Sequence, residues 1–332
     1  MRKWVLPEYI EDVLPAEAER TEGLRRVLLD HFRTQGYRLV QPPLVEHLDS
    51  LFTGTGRDLE LQTFKVVDPL SGRLLGVRAD ITPQVARIDA HLLNEPGVTR
   101  LCYAGSVLRA VPASGAKTRE VMQIGAELFG EPGIAGDIEV LGLILSALAA
   151  AGLAGLHLDL GHVGVYRALA AGAGIAGNGE DSELFAALRA KDAPGVAELT
   201  AKLPAAWRDA LAALPTLYGP AREVLAAARA CLPDTPAIHN ALASLAALAQ
   251  SAEPQVEALH IDLADLTGYH YQNGAIFSVF TAGEPSAIGN GGRYDGIGKA
   301  FGRARPATGF TLDLRQLANV ILREAAGSAS DT

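Results

Sequence analysis

Residues 100–110 read Arg100-Leu101-Cys102-Tyr103-Ala104-Gly105-Ser106-Val107-Leu108-Arg109-Ala110, and residues 121–129 read Val121-Met122-Gln123-Ile124-Gly125-Ala126-Glu127-Leu128-Phe129. In a strand alternate residues share a face, so Gln123, Gly125 and Glu127 point one way while Met122, Ile124, Ala126 and Leu128 point the other. Tyr103, Gly105, Val107 and Arg109 likewise share a face. Pairing the two segments as a long hairpin is expected to put Arg109 near Gln123 and Glu127. A carboxylate, an amide and a guanidinium around a glycine-lined void suit a zwitterionic amino acid, with acceptors for its ammonium and a cation for its carboxylate. A solvated sheet face with an incidental ion pair accounts for the same pattern, and these residues alone leave both readings open.

On the N-terminal side, Ala16 to Gln35 carries Leu24, Val27, Leu28 and Phe32 on one helical stripe, with Gly36 just past its end. Tyr37 to Leu44 is extended and interrupted by Pro42 and Pro43, and strand-like runs follow at Leu61 to Val67 and Leu74 to Arg78. From Tyr166 to about Gln255 the texture turns Ala- and Leu-rich, broken by Pro194, Pro204, Pro220, Pro233 and Pro254. Strand texture returns at Leu259 to Leu266, Ala275 to Thr281 and Gly309 to Leu312, before a final helix. The pattern predicts an α+β fold, an antiparallel sheet flanked by helices with an all-helical insertion. Strands need partners, so the β segments on both sides of the detour belong to one discontinuous core, 1–165 and 256–322. The insertion is 166–255 and a polar tail 323–332.

Composition narrows the function classes. Lys and Arg total 29 against 38 Asp and Glu, a net charge of −9, and a nucleic-acid footprint over the whole surface would need clustered cations. Hydrophobic residues at 48% promise a sizeable core. Two cysteines, Cys102 and Cys231, make no disulfide framework, and eight scattered histidines give no metal-ligand spacing. The basic start Met1-Arg2-Lys3 runs straight into Glu8, Glu11 and Asp12 where a secretory leader would be apolar, so a cytoplasmic protein is expected. Val140 to Leu158 carries no formal charge, but Gly142, Ser146, Gly152 and Gly155 dilute it and Leu156-His157-Leu158-Asp159-Leu160 alternates. It reads as a buried helix, a turn and a strand rather than a membrane span. Gly172-Ala173-Gly174-Ile175-Ala176-Gly177 matches the dinucleotide-binding G-x-G-x-x-G pattern. That fingerprint needs a preceding strand, whereas Val163 to Ala171 is helical in composition, so no cofactor is expected.

Longer motifs carry a family resemblance. Arg100-Leu101, Tyr103, Gly105 and Arg109, with Gln123-Ile124-Gly125, Glu127-Leu128-Phe129-Gly130, resemble motif 2 of the class II aminoacyl-tRNA synthetases, in their histidyl branch. Gly291-Gly292-Arg293-Tyr294-Asp295-Gly296 and the later Gly309-Phe310 resemble the histidyl-specific run leading into motif 3, and Tyr37 to Glu46, with Pro43, resembles motif 1. The resemblance implies that fold from Leu6 to Leu322 and self-association as a dimer through the motif 1 region. It also implies a histidine pocket. Asp80 and Thr82 align with the acid and threonine that take the substrate ammonium, Gln123 with another ammonium contact, Glu127 with the carboxylate that reads the imidazole, and Tyr271 with a pocket tyrosine.

The departures fall elsewhere. Val111 stands for the glutamate that contacts ATP, Val121 for the aromatic residue that stacks on adenine, Gln316 for the γ-phosphate arginine, Asp313 for a small glycine and Thr267 for the catalytic arginine before Gly268-Tyr269-His270-Tyr271. Removing one group that stabilises transition-state charge costs about 100-fold in rate, so adenylate chemistry is not expected. With Thr267 neutral, Arg109 becomes the expected anchor for the ligand carboxylate. About sixteen residues follow Gln316, where a synthetase continues into an anticodon-binding domain, so tRNA is not an expected partner. Within this branch the combination resembles the non-catalytic regulatory subunits that pair with short-form ATP phosphoribosyltransferase catalytic subunits and convey feedback by L-histidine. The rival reading is a truncated synthetase-like ligase that activates histidine or a related amino acid.

Overall fold

A computed structural model describes residues 5–53, 57–112, 118–175, 183–269 and 271–330. The chain runs through α1 (Pro15–Thr34), β1 (Arg38–Leu39), β2 (Val45–His47), α2 (Leu48–Leu51), α3 (Arg57–Gln62), β3 (Phe64–Val67), β4 (Leu74–Val77), α4 (Thr82–Arg87), β5 (Thr99–Leu108) and β6 (Glu120–Phe129). It continues with α5 (Ile134–Ala150), β7 (Leu156–His162), α6 (Val163–Gly172), α7 (Glu183–Arg189), α8 (Ala193–Thr200), α9 (Ala205–Ala213), β8 (Tyr218–Pro220), α10 (Ala221–Cys231) and α11 (Pro236–Ala252). It ends with β9 (Ala258–Asp262), β10 (Ala275–Thr281), β11 (Gly289–Arg293), β12 (Ala307–Asp313) and α12 (Leu314–Ser330). The chain divides into two compact units, one of residues 1–131, 146–153 and 296–332, the other of 132–145 and 154–295.

In the first unit the strand order is β1-β5-β6-β12, with β2-β4-β3 as a separate small sheet. The long hairpin forms as the alternation predicts, β5 antiparallel to β6 from Thr99↔Phe129 to Leu108↔Glu120, and β12 adds antiparallel to β6 from Ala307↔Phe129 to Asp313↔Gln123. The edge strand β1 joins β5 in parallel, because α1 returns the chain to the sheet edge in the direction of β5. Pro15 opens α1 where no amide partner is needed and Gly36 adopts φ +85° after its end. Its buried stripe is Thr21, Leu28 and Phe32, and Phe32 packs edge-on against Phe310 of β12 at 5.7 Å. Val27 is turned outward, one position round the helix from the face that meets the sheet. Leu61 and Gln62, expected in a strand, close α3, and the strand begins at Phe64.

In the second unit the order is β11-β10-β7-β9-β8, with β7 and β9 parallel. The apolar stretch from Val140 resolves into α5, a turn with Gly152 and Gly155 at positive φ, and β7. Among the described residues no helix is long and apolar enough to cross a membrane. Gly172 ends α6 beneath the Trp207 ring and Gly174 turns the chain at φ +73°. A helix, not a strand, therefore precedes the G-x-G pattern, whose Ala176 and Gly177 lie outside the described residues. Among its described residues the expected insertion, 166–255, holds helices and the three-residue β8, and these fall in the unit that also holds β7, β9, β10 and β11. The final helix runs on to Ser330, through most of the segment read as a tail.

Candidate functional site: a glycine-floored sheet face

The register of β5, β6 and β12 arranges one face of the first unit as a grid, since directly opposed residues of antiparallel strands point the same way. Its rows are Leu101–Glu127–Gly309, then Tyr103–Gly125–Thr311, then Gly105–Gln123–Asp313. Each row holds one glycine on a different strand, and over each lies a polar side chain. A Cβ at Gly309 would collide with the Glu127 carboxylate, one at Gly125 with the Tyr103 phenol, and one at Gly105 with the Arg78 guanidinium. Gly125 in motif 2 is thus the space in which Tyr103 lies. This is why the alternation, which shows a gap, does not show its occupant.

The N-terminus of α4 brings a second layer to this face. Thr82 Oγ1 donates to Glu127 Oε1 at 2.9 Å and lies 3.2 Å from the Tyr103 hydroxyl. The Ile81 amide donates to Asp80 Oδ1 at 2.7 Å and to Gln123 Oε1 at 3.1 Å. Four of the expected residues, Asp80, Thr82, Gln123 and Glu127, are therefore gathered in one cluster, the last three of them buried. Tyr103 is fully buried, and its phenol is pushed well above its ordinary pKa by burial and then by the Glu127 and Asp80 charges. It remains a donor. Because Thr82 spends its only hydroxyl proton on Glu127, Tyr103 donates to Thr82, and the chain of donors runs Tyr103, Thr82, Glu127. Arg78, buried by the cluster, donates to Ser106 O and Pro42 O at 2.8 Å each, and burial lowers its pKa.

Arg109 lies just past the end of β5. Its amide pairs with Arg119 O at 2.9 Å, four residues along β5 from Gly105 and eight from Leu101, roughly 13 Å and 26 Å at the usual strand rise. It shares the face of Gln123 and Glu127, and its charge acts on Asp313, which is opposed to Gln123. Its half-buried guanidinium keeps Nε without a hydrogen-bond partner. Asp313, at the junction of β12 and α12, is closer to the cluster: burial raises its pKa, while the amides of Arg315 and Gln316 and the charges of Arg109 and Arg315 pull it back.

Tyr271 belongs to the second unit, where its ring stacks on the buried Tyr294 at 4.8 Å between centroids. The Gly-Gly-Arg-Tyr-Asp run explains that stack. Gly292 lies at φ +155° against Ala275 O, and Arg293 donates to Asp137 at 3.0 and 3.1 Å, Asp295 at 3.1 Å and Gly133 O at 2.9 Å, which fixes the backbone that carries Tyr294. The run is a brace. Thr267, at the expected place of a catalytic cation, is exposed, as is Val111. Tyr103, Arg78 and Tyr294 were not singled out from the sequence as site residues. The signals that reveal them are a glycine directly opposite or facing Tyr103 and Arg78, and a positive-φ glycine two residues before Tyr294.

The histidyl-tRNA synthetase family model matches residues 9–317. An ATP phosphoribosyltransferase regulatory subunit of Thiobacillus denitrificans is 58% identical over 331 residues, all of both chains, and one of Ralstonia nicotianae is 59% identical over 99% of this chain and 84% of its own. Among solved structures, an ATP phosphoribosyltransferase regulatory subunit/histidyl-tRNA synthetase from Bacillus halodurans superposes with TM-score 0.83 at 27% identity, over 96% of this chain and 83% of that one. A histidine–tRNA ligase subunit from Alicyclobacillus acidocaldarius shares the fold with TM-score 0.75 at 24% identity, over 98% and 99%.

Proposed function

The chain belongs to the family of ATP phosphoribosyltransferase regulatory subunits, a histidyl-tRNA synthetase-like branch, and from that premise we propose that it is the non-catalytic, histidine-sensing partner of a short-form catalytic subunit. The observation that carries the reading is the intact cluster of Asp80, Thr82, Gln123 and Glu127 on a glycine floor, beside positions 111, 267 and 316 that hold Val, Thr and Gln. The cluster is equipped to read an amino acid. Positions 267 and 316 lack the cations that adenylate formation needs.

Along the grid, the imidazole N–H meets Glu127, which accepts from Thr82, and the ammonium meets Gln123 and Asp80 two rows away. Thr82 keeps a lone pair for the ligand after accepting from Tyr103. Arg109, whose charge acts on Asp313 in the last row, is the anchor proposed for the carboxylate. A pocket that hydrogen-bonds a ring N–H discriminates strongly against isosteres lacking it, because its own polar groups would be left unpaired. Feedback requires that histidine bind one state of the complex better than another, typically by about 1–3 kcal/mol.

The test pairs the purified chain with the short catalytic subunit. Phosphoribosyl transfer from phosphoribosyl pyrophosphate to ATP is expected to need both proteins for full rate and to fall on addition of L-histidine. The chain alone is expected to bind histidine without catalysing histidine-dependent ATP–pyrophosphate exchange. Robust exchange overturns the reading in favour of a ligase.

A further inference from the structure

Two carboxylates on this face share an unusual division of labour. Asp80 Oδ1 accepts the amides of Ile81 at 2.7 Å and Thr82 at 3.4 Å at the start of α4. Asp313 Oδ1 accepts the amides of Arg315 at 3.0 Å and Gln316 at 3.4 Å at the start of α12. Among the described residues, neither Oδ2 makes a hydrogen bond. Each acid is therefore fixed by its helix and presents one oxygen outward, with part of its surface open. Between them stands Gln123: its Oε1 shares the Ile81 amide with Asp80, and it is directly opposed to Asp313 across β6 and β12, which sets their Cβ atoms about 5 Å apart.

An alkylammonium offers three N–H donors, and Asp80, Gln123 and Asp313, linked through the Ile81 amide and the β6–β12 pairing, offer three acceptor oxygens. We infer that Asp313 is a third acceptor for the ammonium of the bound amino acid, and so a specificity-determining residue for ligands with a free α-amine. The inference rests on the histidine-binding reading above. The Arg109 charge acts on the same carboxylate, but among the described residues the hydrogen bonds of Asp313 go to the Arg315 and Gln316 amides and none to Arg109. The row favours the ammonium.

Calorimetric titration of the full chain with L-histidine and with imidazole-4-propionate, which keeps ring and carboxylate and lacks the amine, tests this. Asp313→Asn keeps the cap oxygen and removes the charge. Histidine affinity is expected to fall roughly tenfold to a hundredfold, the range for a hydrogen bond to a charged group, with the analogue's affinity unchanged. Equal histidine affinity in the parent and the variant overturns the role of Asp313 while leaving the histidine site standing. Tighter binding of both ligands by the variant also overturns it, since Asp313 would then be a rival for Arg109. A parent chain that binds no histidine overturns the underlying reading, and this inference with it. Asp313→Ser, which also caps a helix, is the second variant; if neither binds the analogue that the parent binds, Asp313 is structural and the inference falls.

Discussion

Gly309 shows how a single missing methyl group shapes this face. Its backbone is ordinary, yet a Cβ would fall on the Glu127 carboxylate, which is buried and held by Thr82. Gly309→Ala is expected to displace Glu127, weaken histidine binding more than tenfold in calorimetry and cost about 1–3 kcal/mol in urea denaturation, the usual range for overpacking. Unchanged binding would mean that Glu127 does not read the ligand. At this scale, period-two alternation made the shared face of Gln123, Gly125, Glu127 and Arg109 legible. The opposition of Asp313 to Gln123 was not, because register is fixed by the connection between the strands and by partners on β12 that alternation does not reveal. Tyr103 was visible on the face as well. Its role as donor to Thr82 depends on a contact spanning 21 residues of sequence.

Helix α6 illustrates the same division between local and distant causes. His162 caps it, with Nδ1 accepting the Gly164 amide at 3.0 Å, and burial, with Arg167 nearby, lowers its pKa to about 4. The folded protein thus holds this imidazole neutral in a range where the unfolded chain, with an ordinary value near 6.5, binds a proton. Stability is expected to be fully present above about pH 6.5 and to fall as the pH drops toward 4, by on the order of 3 kcal/mol at most. His162→Asn keeps a capping acceptor without the titration, and chemical denaturation from pH 4 to 7 should show a shallower slope than the parent. An identical slope would remove His162 as the cause. The helix itself was readable from Val163 to Ala171, and reading it removed the dinucleotide motif. The parallel β1–β5 and β7–β9 pairs and the short β8 were not readable. Two or three residues of strand carry no periodicity, and strand direction depends on how the intervening chain returns.

For the whole molecule, the fold class followed from motifs spread along nearly all the chain, because each marks a different strand of one sheet architecture. The partition into units did not follow, since it depends on which strands pack together rather than on where helical texture begins. The segment expected to mediate self-association leaves much apolar surface open: Leu39, Leu44 and Val45, with Val66, Val67 and Leu74 of the adjoining small sheet, are each 39–65% exposed. Patches of this kind mark interaction surfaces. Val67→Asp combined with Leu74→Lys is expected to shift the purified chain toward monomer in analytical ultracentrifugation without lowering its melting temperature. An unchanged sedimentation profile would place the contact elsewhere.

The chain passes from one compact unit to the other four times, after Glu131, Leu145, Leu153 and Asp295. A recombination event with one breakpoint therefore always leaves at least one unit stitched from two parents, whichever position it strikes. A single exchange after Glu131 or Asp295 carries the second unit whole, but only by leaving the first one mixed. The sheet face of the first unit and the unit that carries Tyr271 are bound to drift as one lineage, and a chimaera that takes each unit whole from a different relative is expected to need four junctions.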